Sequence, residues 1–197
     1  MLVIDNHYFF NINYFKFLKN NEIILSPKNL YSKGWYNNKC EIVGANGKMN
    51  LSIPLIGGRN QRIAISELKI MYESNWQKQH LKAIASCYGN APYFDYYYPI
   101  LQSFYSKRFN NLFESNLAVL EIVCGILNLN VKVLLSETII QPKDIIFTKQ
   151  NISLNKHFNE SNYKYPQVFE DRLGFIPNLS IIDLLMCMGP ASKNLLV

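Results

Sequence analysis

One α/β (or α+β) domain spanning residues 1–197 is predicted, with a mixed sheet and a helical C-terminal half. Three observations predict it. The chain has 197 residues, enough for one sizeable core and short for two. Short apolar runs of strand length come first, helix-period segments follow, and one strand returns after them. Hydrophobic residues make up 49% and charged residues 17%, a globular and lightly charged balance. There is no internal repeat and no linker-like stretch.

The elements follow in order. "MLVI" is a short apolar run that can start a core strand. "INYFKFLKN" can turn once or twice as a helix, with Ile12, Phe15 and Leu18 on one side. "EIILS" is a second apolar strand, closed by Pro27. Residues 28–39, rich in Asn, Lys, Tyr and Trp, form a loop. "CEIVGANGKMNLSIPL" reads as two strands joined by a hairpin, because Ala-Asn-Gly supplies the positive-φ residues of a tight turn. "IGGRNQRIAISELKI" is a Gly-Gly turn and another extended segment carrying Ile63, Ile65 and Leu68.

Helices then dominate. Asn75 or Ser74 can cap a helix beginning at Trp76. "YFDYYYPILQSFYSKRFNNLFES" is helical after Pro99. "NLAVLEIVCGILNLN" is a strongly apolar helix from Leu117 to Leu127. "VKVLLSETI" is a buried strand. Residues 141–166 are polar and weakly patterned, with one short strand, "IIF". Asn178 to Met188 is a final helix with Ile181, Leu184 and Leu185 facing inward. The run from Tyr93 to Tyr105 holds more Tyr and Phe than one helix face needs. Core packing is the default use of that surplus and a homo-oligomer interface the alternative.

The bulk chemistry excludes several classes. No run approaches the roughly 18 apolar residues of a membrane helix, so no membrane span is expected. The start, "MLVIDNHYFF", has no basic region before its apolar part and does not read as a secretory signal, which makes the cytoplasm the expected location. Cys40, Cys87, Cys124 and Cys187 are scattered without a CxxC pair and read as reduced, mostly buried thiols. His7, His80 and His157 lie far apart, so neither a metal nor a cofactor is expected. The net charge of +6 favours an anionic small-molecule partner. The basic residues are dispersed, and nucleic-acid binding is not expected.

Three stretches can carry chemistry. In "NWQKQHLKAIASCY", at roughly 100° per residue, Trp76, His80, Ala83, Ile84 and Cys87 share one arc, while Lys78, Gln79 and Lys82 fall opposite. His80 is thus either a hydrogen-bonded core histidine or a cavity-lining general base tuned by burial. Cys87 stands two turns away, too far for a thiolate–imidazole pair. In "SKGWYNNKCEI", Trp35 and Asn37 suit a sugar or base ring, and Lys33 or Lys39 a phosphate; equally, Trp35 anchors the loop. In "PLIGGRNQR", backbone amides and Arg59 or Arg62 can hold a phosphate, although a hairpin turn explains the glycines as well. There is no Walker loop, GxGxxG or GxSxG sequence.

Taken together, "YFFNINYF" (8–15), "GWYNNKCEI" (34–42), "WQKQH" (76–80), "YGNAPYF" (88–94), "YPQ" (165–167) and "FIPNLSIIDLLMCMG" (175–189) resemble, in order, the motifs of the WbqC-like protein family. The match spans most of the chain. The chain departs from the family pattern at Asp5-Asn6-His7, where the family has His-Gln-Pro, and at Asn11, Asn13, Asn38 and Cys187. A Gly-rich helix–strand unit usual in the family is missing from residues 141–166.

The resemblance implies a Rossmann-like core. It also implies a part in surface-polysaccharide (O-antigen or capsule) biosynthesis, as an aminoacyl or acyl transferase on a nucleotide-linked amino sugar. In that scheme His80 is the base and Asp183 orients it. Lys78 or Arg59 meets phosphate, and Trp35, Asn37 and Trp76 line the site. Asp183 reads equally as a structural acid. The missing Gly-rich unit motivates the alternative: a shortened, non-catalytic relative that binds a ligand or a partner protein.

Overall fold

The computed structural model describes residues 2–15, 18, 22–57, 62–141, 145 and 163–196. The first apolar run forms β1 (Leu2–Val3), followed by the single turn α1 (Ile12–Phe15) and by β2 (Glu22–Leu25). Strands β3 (Lys39–Gly44) and β4 (Gly47–Ser52) form the hairpin. Helices α2 (Trp76–Tyr88), α3 (Phe94–Tyr105) and α4 (Leu112–Ile126) follow, then β5 (Lys132–Leu135). Three short helices end the chain: α5 (Glu170–Leu173), α6 (Ile181–Met188) and α7 (Ser192–Leu196).

β2 lies between β1 and β5, parallel to both, with Ile23 opposite Leu2 and Val133. This three-stranded parallel sheet is the Rossmann-like part of the α/β fold. The antiparallel β3–β4 hairpin is a separate sheet, in register from Lys39–Ser52 to Gly44–Gly47. Of the Ala-Asn-Gly turn, only Gly47 takes a positive φ, 107°. Among the described residues no helix is long and apolar enough to cross a membrane. The four cysteines are free, and all but Cys124 are buried.

Several local expectations are corrected. β5 is half-exposed rather than buried: among the described residues it has a neighbour on one side only, and Leu135 is 53% exposed. Residues 62–70 are not extended throughout; a 3₁₀ turn covers Ile65–Glu67. Ile65 and Leu68 are three apart, and one 3₁₀ turn buries both. Neither Ser74 nor Asn75 caps α2 through its side chain. Asn75 starts it by adopting a left-handed backbone (φ 52°), while Ser74 Oγ donates back to the Met71 carbonyl.

α3 begins at Phe94 and runs through Pro99. The proline leaves unpaired only the Asp95 carbonyl, on an exposed residue where water can take it. α4 begins at Leu112, five residues early, because Asn111 Oδ1 accepts from Glu114 N at 2.9 Å while Glu114 reaches back to Asn110 N. α6 begins at Ile181, since Asn178 is left-handed (φ 62°) and Ser180 is the cap. In α3 the aromatic surplus divides: Tyr97, Phe104 and Tyr105 enter the core and Tyr96 stays 69% exposed.

What organises these elements is the segment leaving β1. Every residue from Ile4 to Phe15 is buried, including the polar Asp5, Asn6, His7, Asn11 and Asn13. Only α1 is regular structure, so the preceding backbone must find partners elsewhere. Tyr8 N donates to the Tyr36 carbonyl at 2.9 Å, and Asn37 Nδ2 donates to the Asn6 carbonyl at 2.8 Å. Ser180 Oγ donates to the Phe9 carbonyl, Ile181 N to Phe10 O and Ile12 N to Leu179 O. The 35–38 loop and the start of α6 thus clamp the segment from two sides. Phe9 is left-handed, with φ 37°, unusual for an aromatic residue and held by these bonds.

Asn37→Ala removes a side chain that serves the Asn6 carbonyl, Asp5 Oδ2 and Ser32 N. It should lower the unfolding free energy by about 2–4 kcal/mol in urea titrations, because buried partners are left unpaired. Lys78→Ala, on the exposed face of α2, should change it by less than about 0.5 kcal/mol.

Candidate functional site

Trp35, Asn37, Trp76, His80 and Asp183, expected to share one site, fall into three buried clusters. The first lies where the chain leaves β1, at the carboxyl end of the parallel sheet, the usual ligand side of such sheets. Asp5 Oδ1 accepts from Asn6 N (2.9 Å) and Oδ2 from Asn37 Nδ2 (3.2 Å). Asn116, on α4, donates to Asn6 Oδ1 (2.8 Å) and to the Asn37 carbonyl (2.7 Å). His7 Nε2 stands 3.6 Å from Asp5 Oδ2, too far for a hydrogen bond. The His7 ring packs among Phe10, Tyr14, Tyr36 and the edge of Trp35. Three buried polar atoms here have no hydrogen-bond partner among the described residues: His7 Nε2, Trp35 Nε1 and Asn116 Oδ1.

The second cluster centres on His80, which is 5% exposed. Its Nδ1 meets Tyr8 Oη at 3.0 Å and Tyr105 Oη at 3.4 Å, and the two hydroxyls are 2.5 Å apart. The ring also bonds the Ser52 backbone. These partners fit a neutral imidazole with a protonated Nε2 facing the carbonyl and Nδ1 accepting from a tyrosine. Burial pushes the His80 pKa down from 6.5 to about 4, with the Ser52 bond opposing. Trp76 packs edge-on against His80 at 5.1 Å, and its Nε1 has no partner. Burial drives the Tyr8 and Tyr105 hydroxyls far above their usual range.

Asp183 anchors the third cluster. It is fully buried in the first turn of α6, with Tyr88 donating to Oδ1 at 2.8 Å and Tyr165 and Gln167 donating to Oδ2 at 2.5 and 3.0 Å. Tyr88 Oη in turn accepts from Val43 N. Burial raises the Asp183 carboxyl pKa, and its three donors oppose the rise. All the donors come from other elements, so one carboxylate ties α6 to α2, β3 and the 165–167 segment.

Trp35 and Asn37 are therefore brought together, as are Trp76 and His80. Asp183 is not paired with His80: it binds Tyr88, about 12 Å further along α2. Lys78 is exposed, and Arg59 lies outside the described residues. Residue-by-residue reading missed Asp5, His7, Asn116, Tyr8, Tyr105, Tyr88, Tyr165 and Gln167. Two signals were available: a polar Asp-Asn-His step inside an apolar run, and one asparagine in a strongly apolar helix.

An unfolded histidine binds protons below about pH 6.5, whereas His80 in the folded chain resists them down to about pH 4. Between those values the unfolded state holds more protons, so His80 makes stability fall as pH falls, by up to ~1.4 kcal/mol per pH unit. Asp183, with its raised carboxyl pKa, acts in the opposite sense above the usual carboxylate range. Comparing wild type with His80→Asn therefore isolates the histidine. Urea unfolding from pH 4 to 7 should give a shallower acid decline for the variant, and parallel curves would contradict the enclosed histidine.

Comparison with known proteins gives one family match. The WbqC-like protein family model aligns with residues 6–145 and again with residues 140–195. No curated protein and no solved structure matches the chain. The matched residues reach into all three clusters, from Asn6 through Asn37, His80 and Asn116 to Asp183, with Asp5 just before the match. With nearly its whole length aligned, the chain belongs to the WbqC-like protein family.

Proposed function

We propose that the chain serves surface-polysaccharide assembly as a binding protein for a nucleotide-linked amino sugar, and does not use His80 to transfer a group. The pathway comes from the family's associations, and a net charge of +6 suits the anionic nucleotide part. The observation carrying binding over transfer is the enclosure of His80. In acyl transfer the sugar amine loses a proton as it attacks the acyl carbon. A histidine 5% exposed, with Nδ1 against Tyr8 and a pKa near 4, is a poor acceptor for that proton at neutral pH. In this scheme Trp35 and Asn37 stand near the sugar and basic side chains such as Lys78 and Arg59 attract the phosphates. Location in the cytoplasm, where nucleotide sugars are made, is part of the same proposal.

An aminoacyl or acyl transferase is the alternative, and the His7–Asp5 pair favours it. A histidine with a carboxylate 3.6 Å away is the base-and-orienter arrangement expected of His80 and Asp183, moved to the sheet's carboxyl end. Isothermal titration of UDP- and dTDP-amino sugars into wild type and His80→Asn tests both ideas, alongside a product assay with acyl and aminoacyl donors. Binding should saturate with the same affinity, within about twofold, in both proteins, and no product should form. Product whose formation is lost in His7→Asn would favour the transferase. Failure of every nucleotide sugar to bind would end the proposal.

A further inference from the structure

We infer that the cluster of Asp5, His7, Trp35 and Asn116 is the subsite for the ring of an amino sugar. The ligand class rests on the function proposed above; the position rests on unpartnered atoms. His7, Trp35 and Asn116 are each more than nine-tenths buried, yet each leaves one polar atom without a hydrogen-bond partner among the described residues. Native interiors seldom leave such atoms unpaired, and a ligand or ordered water is the usual answer. The three lie in one network: Asn116 binds Asn6 and Asn37, Asn37 binds Asp5, and Trp35 packs on His7 at 5.6 Å. Trp76 Nε1 and Ser115 Oγ also lack a partner among the described residues, but Trp76 packs on Tyr72, His80 and Tyr105 rather than on this network.

The atom types select the ligand. Trp35 Nε1–H can only donate, Asn116 Oδ1 can only accept, and His7 Nε2 does one or the other according to its tautomer. A hydroxyl both donates and accepts, so a polyhydroxylated ring answers this mixed set. Asp5, whose side chain is 12% exposed and marks the solvent side of the cluster, disfavours phosphate and favours an ammonium group. The sugar end of a nucleotide-linked amino sugar therefore belongs here, and its phosphates outside.

The chain has two tryptophans, so an amide spectrum of the ¹⁵N-labelled protein contains two indole N–H signals, assigned with Trp35→Phe and Trp76→Phe. Titration with glucosamine should shift the Trp35 signal saturably and leave Trp76 in place. Glucose should bind about tenfold more weakly, the worth of a hydrogen bond to a charged partner. Trp35→Phe, which keeps an aromatic ring but removes the donor, should weaken glucosamine about threefold to tenfold by calorimetry. Inorganic phosphate and UDP should leave the Trp35 signal unmoved. A Trp35 signal insensitive to both sugars, or one moved equally by phosphate, would overturn the inference. If a UDP-amino sugar binds by calorimetry without moving Trp35, the subsite falls while the proposed function stands. If glucosamine moves Trp35 but no nucleotide sugar binds, the subsite stands and that function falls.

Discussion

The backbone from Ile4 to Asn11 crosses the interior without forming a helix, and leaves the sheet ladder after Ile4 donates to Ile24. A buried chain in that state carries amide and carbonyl groups that water cannot reach, and each must be paired within the protein or lose free energy on folding. The rest of the molecule is arranged around this requirement. The 35–38 loop supplies the Tyr36 carbonyl and the Asn37 amide, and α4 contributes Asn116 to hold Asn6 and Asn37 together. The start of α6 supplies Ser180 Oγ, Ile181 N and the Leu179 carbonyl. Elements far apart in sequence thus converge because they share one set of acceptors and donors.

This gives the family motifs a physical meaning. Tyr88, the pair Tyr165 and Gln167, and Asp183 belong to three separate motifs and meet in one hydrogen-bonded group. A fully buried carboxylate is costly unless several donors surround it, and Asp183 has three. Removing any one donor would leave part of that charge uncompensated. Such a group favours one docking of α6 on α2 and β3, since other packings would strand the acid. Tyr88, Tyr165 and Gln167 thus hold Asp183 as a structural acid would be held, the second of the two roles its sequence allowed.

Segment 5–10 also sorts the candidate chemistry. Consecutive residues send their side chains to different neighbours: His7 meets Trp35 and Tyr36, while Tyr8 meets His80 and Tyr105. His80 gains two hydroxyls and a carbonyl, and becomes a satisfied core imidazole. His7, Trp35 and Asn116 each keep one polar atom without a partner among the described residues, in the network that holds Asp5. Burial encloses His80 and leaves His7 beside polar atoms that have no partner among the described residues.

What the sequence determined by itself was local. Hydrophobic period announced the early strands and the later helices, as "EIIL" and the arc of Trp76, His80 and Ile84 illustrate, and the motif order identified the family. Turn and cap chemistry was legible only in part: Gly47 did what its type allows, but Asn75 acted through its backbone and Pro99 sat inside a helix. What tertiary structure alone decided was partnership. No spacing rule links Asn37 with Asn6, Asn116 with Asn37, or Asp183 with Tyr165 across an α/β fold. The reason is physical: a helical or strand pattern tells which face of an element is buried, but a hydrogen bond between distant elements depends on atoms meeting within about 3 Å. That meeting exists only once the chain around Ile4–Phe15 is closed.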